Sequence, residues 1–187
     1  MDMIFNHAAK LRFMSGGQTS VPIVIRTMTG AGYKTAGQHA DFLEAWFCHT
    51  AGIKVVAASN PADFKGLMLS CIDDPDPCMF IEAGAAIRTP GEIAVDQGKI
   101  PLGKARIHQE GKDLTIISYS TQFIRCIEAV KELEEAGISV ELIDLPGSYG
   151  LHATSPDEEV TRKVILGEFP GEAAPDKPKP EPKPEPK

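Results

Sequence analysis

No stretch of this chain stays apolar for the ~20 residues that a membrane-spanning helix needs, so no membrane role is expected. Positive charge is also in short supply. Lys and Arg number 19 against 26 Asp and Glu, a formal net charge of -7. The basic residues are scattered and no aromatic stripe runs among them, which argues against a nucleic-acid surface. Cysteine is sparse and forms no CxxC pair. Cys48, Cys71, Cys78 and Cys126 each sit in apolar context, the pattern of small buried hydrophobes in a reducing compartment. No signal supports a catalytic thiol. The chain has no GxGxxG and no P-loop, so its glycine-rich turns "MSGGQ" and "TMTGAGY" are a weak nucleotide signal. The N-terminus lacks a basic region followed by an apolar run, so no secretory signal is expected. Met1–Leu11 carries Asp2 and lacks the Arg and Ser of an organellar presequence.

What is present alternates. Met1, Ile4, Phe5, Ala8 and Leu11 fall on one helical face. After the turn "SGGQTS", the β-branched run "VPIVIRT" reads as a strand, with Pro22 near its start. The glycine-rich loop "GAGYKTAGQ" leads to a short helix over Asp41–Thr50 that ends near Gly52. "IKVVAAS" reads as a buried strand. "NPADFKGLMLSCI" reads as a helix with Asn60 as N-cap, Pro61 at the first helical position and Asp63 in the first turn. "DDPDP" stops it and "CMFIEA" follows as a strand. Residues 84–99 read as a loop and domain boundary. Beyond it, "IPLGKARIHQEGKDLTIISYS" holds two strand-like runs around the turn "EGKD". In "STQFIRCIEAVKELEEAG", Phe123, Ile127, Val130 and Leu133 share a helical face that Gly137 closes. "ISVELIDL" is the next strand. Strands alternating with helices imply an α/β protein of parallel sheets with flanking helices. Residues 146–174 hold at most one short helix, capped by Ser155 and Pro156. Residues 175–187, "PDKPKPEPKPEPK", are low in complexity and expected to be disordered. At ~3.1 Å per residue this tail reaches roughly 40 Å.

Three places hold residue types suited to chemistry. His39 follows a strand and a glycine-rich loop and precedes a helix. In parallel α/β sheets, ligands sit beyond the carboxyl ends of strands, where an imidazole can move a proton near neutral pH. The alternative is a histidine that fixes the loop through backbone hydrogen bonds. His49, at a helix end, reads as a cap. "SCIDDPDP" gathers carboxylates and free carbonyls at a helix terminus, which suits a hard cation or a plain, solvated helix stop.

The run "NHAAKLRFMSGGQTSVPIVIRT…GQHADFLEAWFCHTAGIKVVAASNPADFKGLMLSCIDDPDPCMFIE", continued by "IPLGKARIHQEGKDLTIISYS" and "AGISVELIDL", resembles the beta subunit of the thiamine-diphosphate-dependent 2-oxo acid dehydrogenases. These are the first components of the pyruvate and branched-chain complexes, with acetoin dehydrogenase as a close cousin. The resemblance covers about residues 1–145. It implies a partial transketolase-like pyrimidine-binding domain over 1–83, a linker over 84–99 and the start of a transketolase C-terminal-type domain over 100–145. Residues 146–174 diverge from it.

The same resemblance implies roles. His39 matches the histidine of the "QH" motif in the active-site channel. There it would orient the 2-oxo acid, donate a proton and help transfer the acyl group to lipoamide. A potassium site built largely from main-chain oxygens maps onto Cys71, Ile72, Asp74 and Asp76. Thiamine diphosphate would be shared with an alpha subunit that holds the magnesium. The expected partners are that alpha subunit, in a heterotetramer, and a lipoyl-bearing acyltransferase. The expected location is the cytoplasm, or the mitochondrial matrix in a eukaryote. In the resembling family a strand–helix–strand segment with the cofactor-activating glutamate precedes the part matched here. No residue of this chain inherits that role, so both domains are expected to be truncated and the chain alone inactive. Pyruvate is the first expectation for substrate and acetoin the second. The rival is a non-catalytic binding or assembly protein on the same scaffold. A third idea makes the Pro-Lys-Glu tail a linker toward a lipoyl-type domain.

Overall fold

The computed structural model describes residues 1–30 and 36–145. The readings for 146–174 and for the 175–187 tail lie outside the described residues. The elements are α1 (Ala9–Met14), β1 (Val24–Thr29), α2 (Glu44–Cys48), β2 (Lys54–Val56), α3 (Pro61–Asp73), β3 (Cys78–Ala83), α4 (Gly84–Arg88), β4 (Arg106–Gln109), β5 (Leu114–Ser118), α5 (Ser120–Glu135) and β6 (Val140–Asp144).

The first sheet has the order β1-β3-β2, and both pairings are parallel. Its middle strand is "CMFIEA", apolar at every position but Glu82, as a strand buried on both faces requires. Alternation along the strands builds two cores. Ile53, Val55, Ala57, Met79 and Ile81 point to one face, where Ala9 and Phe47 meet them. Val56, Ala58, Cys78 and Phe80 point to the other, against Leu67 and Cys71 of α3. The second sheet has the order β4-β6-β5. Phe123 and Val130 of α5 cover Val140 and Leu142. Gly137 closes that helix at φ +83.

Local signals decided several elements as expected. At the start of α3, Asn60 Oδ1 accepts from the Asp63 backbone N–H at 3.0 Å and Pro61 fills the first turn. None of the four cysteines is in a disulfide. Cys71 and Cys78 are buried, while Cys48 and Cys126 are half-buried. Contact with the Cys71 thiol and then burial push the Cys78 thiol far above its ordinary range, which keeps it an inert hydrophobe.

Four details differ from the sequence reading. A π-helical stretch, Met3–Ala8, precedes α1. Its wider turn shifts the apolar face, so Ala9 is buried while Leu11 is exposed. The helix expected over Asp41–Thr50 is only Glu44–Cys48. The stretch read as a loop over 84–99 opens with α4. In the second sheet β5 runs parallel to β6, but β4 runs antiparallel to it. The turn at "EGKD" therefore does not make a hairpin of β4 and β5, because β6 lies between them.

Packing requires a glycine at the turn before β2. Gly52 has φ +95, and a Cβ there would run into the Ala9 carbonyl. Lys10 Nζ donates to the Ala51 carbonyl beside it, so the N-terminal helix docks on the turn that precedes β2.

Candidate active-site loop and interdomain cluster

Because all three strands of the first sheet are parallel, their carboxyl ends share one edge, the usual ligand edge of an α/β sheet. β1 reaches that edge at Thr29, level with Ala83 of β3. His39 lies in the turn that follows and is exposed to solvent. Ala36, three residues earlier, holds φ +61, a left-handed conformation that non-glycine residues adopt at a cost.

Two buried polar atoms flank this loop in the chain. Thr29 is 4% exposed and Glu44 is 2% exposed. Among the described residues, Thr29 Oγ1 and Glu44 Oε1 have no hydrogen-bond partner. A buried polar atom left unpaired is costly and calls for an account. Burial raises the pKa of Glu44, opposed only by a backbone hydrogen bond. Glu44 therefore keeps a proton more readily than an ordinary glutamate. Sequence reading passed over Glu44. The available signal was its spacing from Phe47, three residues on, since both occupy the buried face of α2. His49 is the C-cap residue of α2, its N–H bonded to the Ala45 carbonyl at 3.0 Å, as a capping reading expects.

The acidic helix stop is a pairing centre. Both carboxylate oxygens of Asp74 accept from Lys54 Nζ at 2.7 Å. Asp76 accepts from Arg12 at 2.9 Å and lies 3.4 Å from Lys54. Burial works against the Lys54 charge, but the two carboxylates outweigh it and hold its pKa above the ordinary value. The Asp74 N–H reaches back to the Cys71 carbonyl at 3.4 Å. Among the described residues, no group of three or more His, Cys, Asp or Glu is arranged to hold a metal ion. Among the described residues, the side chains of Asp74 and Asp76 are thus committed to Lys54 and Arg12.

A second polar cluster joins the two sheets and has no counterpart in the sequence reading. Asp144, at the end of β6, is 4% exposed. It accepts from the Ser59 hydroxyl beyond β2 and from Arg106 of β4 at 2.7 Å. The same guanidinium lies 3.4 Å from Asp63 in the first turn of α3 and 5.5 Å from the centre of the Phe123 ring. Burial pushes the Asp144 pKa up to about 6, against the Ser59 hydrogen bond and the Arg106 charge. Burial, then Arg106, lowers the pKa of neighbouring His108. No motif announces such a cluster, because Ser59 and Asp144 are 85 residues apart in the chain.

Among the described residues no helix is long and apolar enough to cross a membrane. The family models of the transketolase pyrimidine-binding domain and the transketolase C-terminal domain match residues 1–89 and 103–153. The beta subunit of acetoin:2,6-dichlorophenolindophenol oxidoreductase from Cupriavidus necator is 43% identical over 144 residues, 77% of this chain and 43% of that protein. The beta subunit of the pyruvate dehydrogenase E1 component from Rhizobium meliloti is 44% identical over 146 residues, 78% of this chain and 32% of that one. The chain therefore spans less than half the length of these relatives. In fold it is similar to a split-gene transketolase described as an inactive beta4 tetramer (TM-score 0.62, 18% identity, 78% of this chain and 44% of that one). It is likewise similar to transketolase from Pichia stipitis (TM-score 0.59, 16% identity, 90% of this chain and 24% of that one). With both domain models matched in order and beta-subunit relatives above 40% identity, the chain belongs to the transketolase-like family, alongside the beta subunits of pyruvate dehydrogenase E1 and acetoin dehydrogenase.

Proposed function

We propose that this chain is beta-subunit sequence of a thiamine-diphosphate-dependent 2-oxo acid dehydrogenase, acting on pyruvate with an alpha subunit and passing the acyl group to a lipoyl-bearing acyltransferase. The observation that carries the reading is the His39 loop at the carboxyl edge of the first sheet, with the unpartnered Thr29 Oγ1 and Glu44 Oε1 beside it in the chain. Those orphaned atoms fit a polar ligand bound at this edge. Thiamine diphosphate, when bound, supplies the nucleophilic carbon and the electron sink for decarboxylation, and the alpha subunit would hold its diphosphate and magnesium.

The chain's own residues have narrower tasks. Solvent-exposed His39 orients the 2-oxo acid and gives or takes a proton at an imidazole nitrogen. Burial favours the protonated form of Glu44, and in that form it can donate a hydrogen bond from a water-poor position. Thr29 offers a hydroxyl at the strand end. Trp46 and Phe42 are exposed and suit the face that an alpha subunit covers. A potassium ion at the end of α3 would be structural and held by main-chain oxygens near Cys71 and Ile72. Asp74 and Asp76 shape that loop through Lys54 and Arg12. The cytoplasm fits this reading, or the mitochondrial matrix in a eukaryote.

Acetoin is the second substrate reading, favoured by the identity to the Cupriavidus necator subunit. The test is ferricyanide- or dichlorophenolindophenol-coupled turnover of pyruvate and of acetoin, by the chain alone and with an alpha subunit. The chain alone is expected to give none. In the assembly, His39→Ala is expected to cut turnover by about 10²-fold or more. Unchanged turnover in that variant would overturn the role of His39. A stable assembly without turnover of either substrate would favour the non-catalytic reading.

A further inference from the structure

The carboxyl ends of β2 and β6 face one another across a cavity of about 290 Å³. Its floor is apolar: Ala57, Ala58 and Leu67 are buried there, and Ile100 closes the side. Its polar lining is Ser59, Asp63, Lys104, Arg106 and Asp144. The two cations balance the two acids. Among the described residues, the Asp144 carboxylate accepts from Ser59 and Arg106 through Oδ2, and Lys104 enters no ion pair.

This balance decides what the cavity can accept. Burying a ligand of single charge here would add an uncompensated charge beside an already neutral cluster, which is expensive. A zwitterion adds none, and it can meet the uncommitted cation and the uncommitted carboxylate oxygen at once. The volume lies at the small end of the ~300–1,000 Å³ range for ligand sites, which limits the occupant to a few heavy atoms beyond its polar head.

We propose that this cavity binds a small aliphatic α-amino acid, its carboxylate on Lys104, its ammonium on Asp144 Oδ1 and its side chain on Ala57, Ala58, Leu67 and Ile100. The site is separate from the His39 loop. That loop follows β1, and β3 lies between β1 and β2, a lateral separation of about 10 Å at ordinary strand spacing. His39 is not part of the lining. Because Ser59 and Asp63 belong to the first unit and Lys104, Arg106 and Asp144 to the second, an occupant fastens the two sheets together.

The experiment is titration of the full chain with L-leucine, followed by calorimetry and by amide chemical shifts. Its two probes of charge are 4-methylpentanoate, which lacks the ammonium, and 3-methylbutylamine, which lacks the carboxylate. L-leucine is expected to saturate the protein, and each analogue to bind at least tenfold more weakly. Lys104→Met, at an exposed rim position, is expected to weaken leucine at least tenfold with an unchanged melt. Ala105→Leu, which fills the cavity, is expected to abolish binding, and His39→Ala to leave it unaltered. No saturation up to the solubility limit of leucine would overturn the proposal. So would wild-type affinity in Lys104→Met, equal affinity for 4-methylpentanoate, or loss of binding in His39→Ala.

Discussion

β3 and β5 are both parallel strands beside a helix, yet they meet solvent differently. Along β3 only Glu82 is less than fully buried. Along β5, Leu114 and Thr115 are exposed and Ile116, Ile117 and Ser118 are half-buried. The first sheet has a substantial core on each face. The second has one such core, under α5, and on its other face only Ile143 and Leu145 with a few half-buried neighbours. A strand covered on both faces holds its place by area on two sides. A strand covered on one depends on its ladder, and its second face is open to partners.

The largest effect should come from breaking the doubly covered side. Phe80, fully buried and 6.0 Å from the Phe64 ring, is expected to cost about 3–5 kcal/mol on replacement by alanine. Leu114→Ala, at the solvent-exposed start of β5 with 43% exposure, is expected to stay within ~0.5 kcal/mol. Urea unfolding of both variants checks the contrast, and similar losses would show that the two sheets are covered alike.

A smaller effect sharpens the comparison where the sheets join. The Asp144 carboxyl has a folded pKa of about 6 against ~3.9 in an unfolded chain. A raised carboxyl pKa means that the folded state binds more protons between these values. The contribution is therefore fully present below about pH 4 and is lost as pH rises through about 6. Relative to Asp144→Asn, the wild type is expected to lose stability across that window and to level off above it. Urea midpoints at several pH values measure this, and a difference that grows more favourable with rising pH would contradict the burial assigned to Asp144.

The same contrast explains how much could be read from the chain. Local chemistry was legible. Asn60, Pro61 and Asp63 announced the start of α3, and the largely apolar run at Cys78–Ala83 announced a strand. His39 could be singled out as a candidate because its place after a strand and a glycine-rich loop is local too. The direction of β4 was not, because a strand's orientation is set by its neighbour, and β6 lies more than 30 residues away. The Ser59–Asp144–Arg106 cluster was invisible for the same reason. Glu44 was hidden by habit of reading: a glutamate on a short helix is usually solvated, and only its alignment with Phe47 marks it as buried. The acidic run at Asp74 and Asp76 suggested free carboxylates, and their partners Lys54 and Arg12 come from elements that only the fold brings near.

The central claim is that the His39 loop is half of a thiamine-diphosphate site completed by an alpha subunit. Calorimetric titration with thiamine diphosphate and magnesium tests it most directly, using the chain alone, an alpha subunit alone and the two mixed. The account predicts saturable binding in the mixture that neither chain gives by itself. Full-affinity binding by the alpha subunit alone, or no binding in a mixture that forms a stable complex, would contradict it.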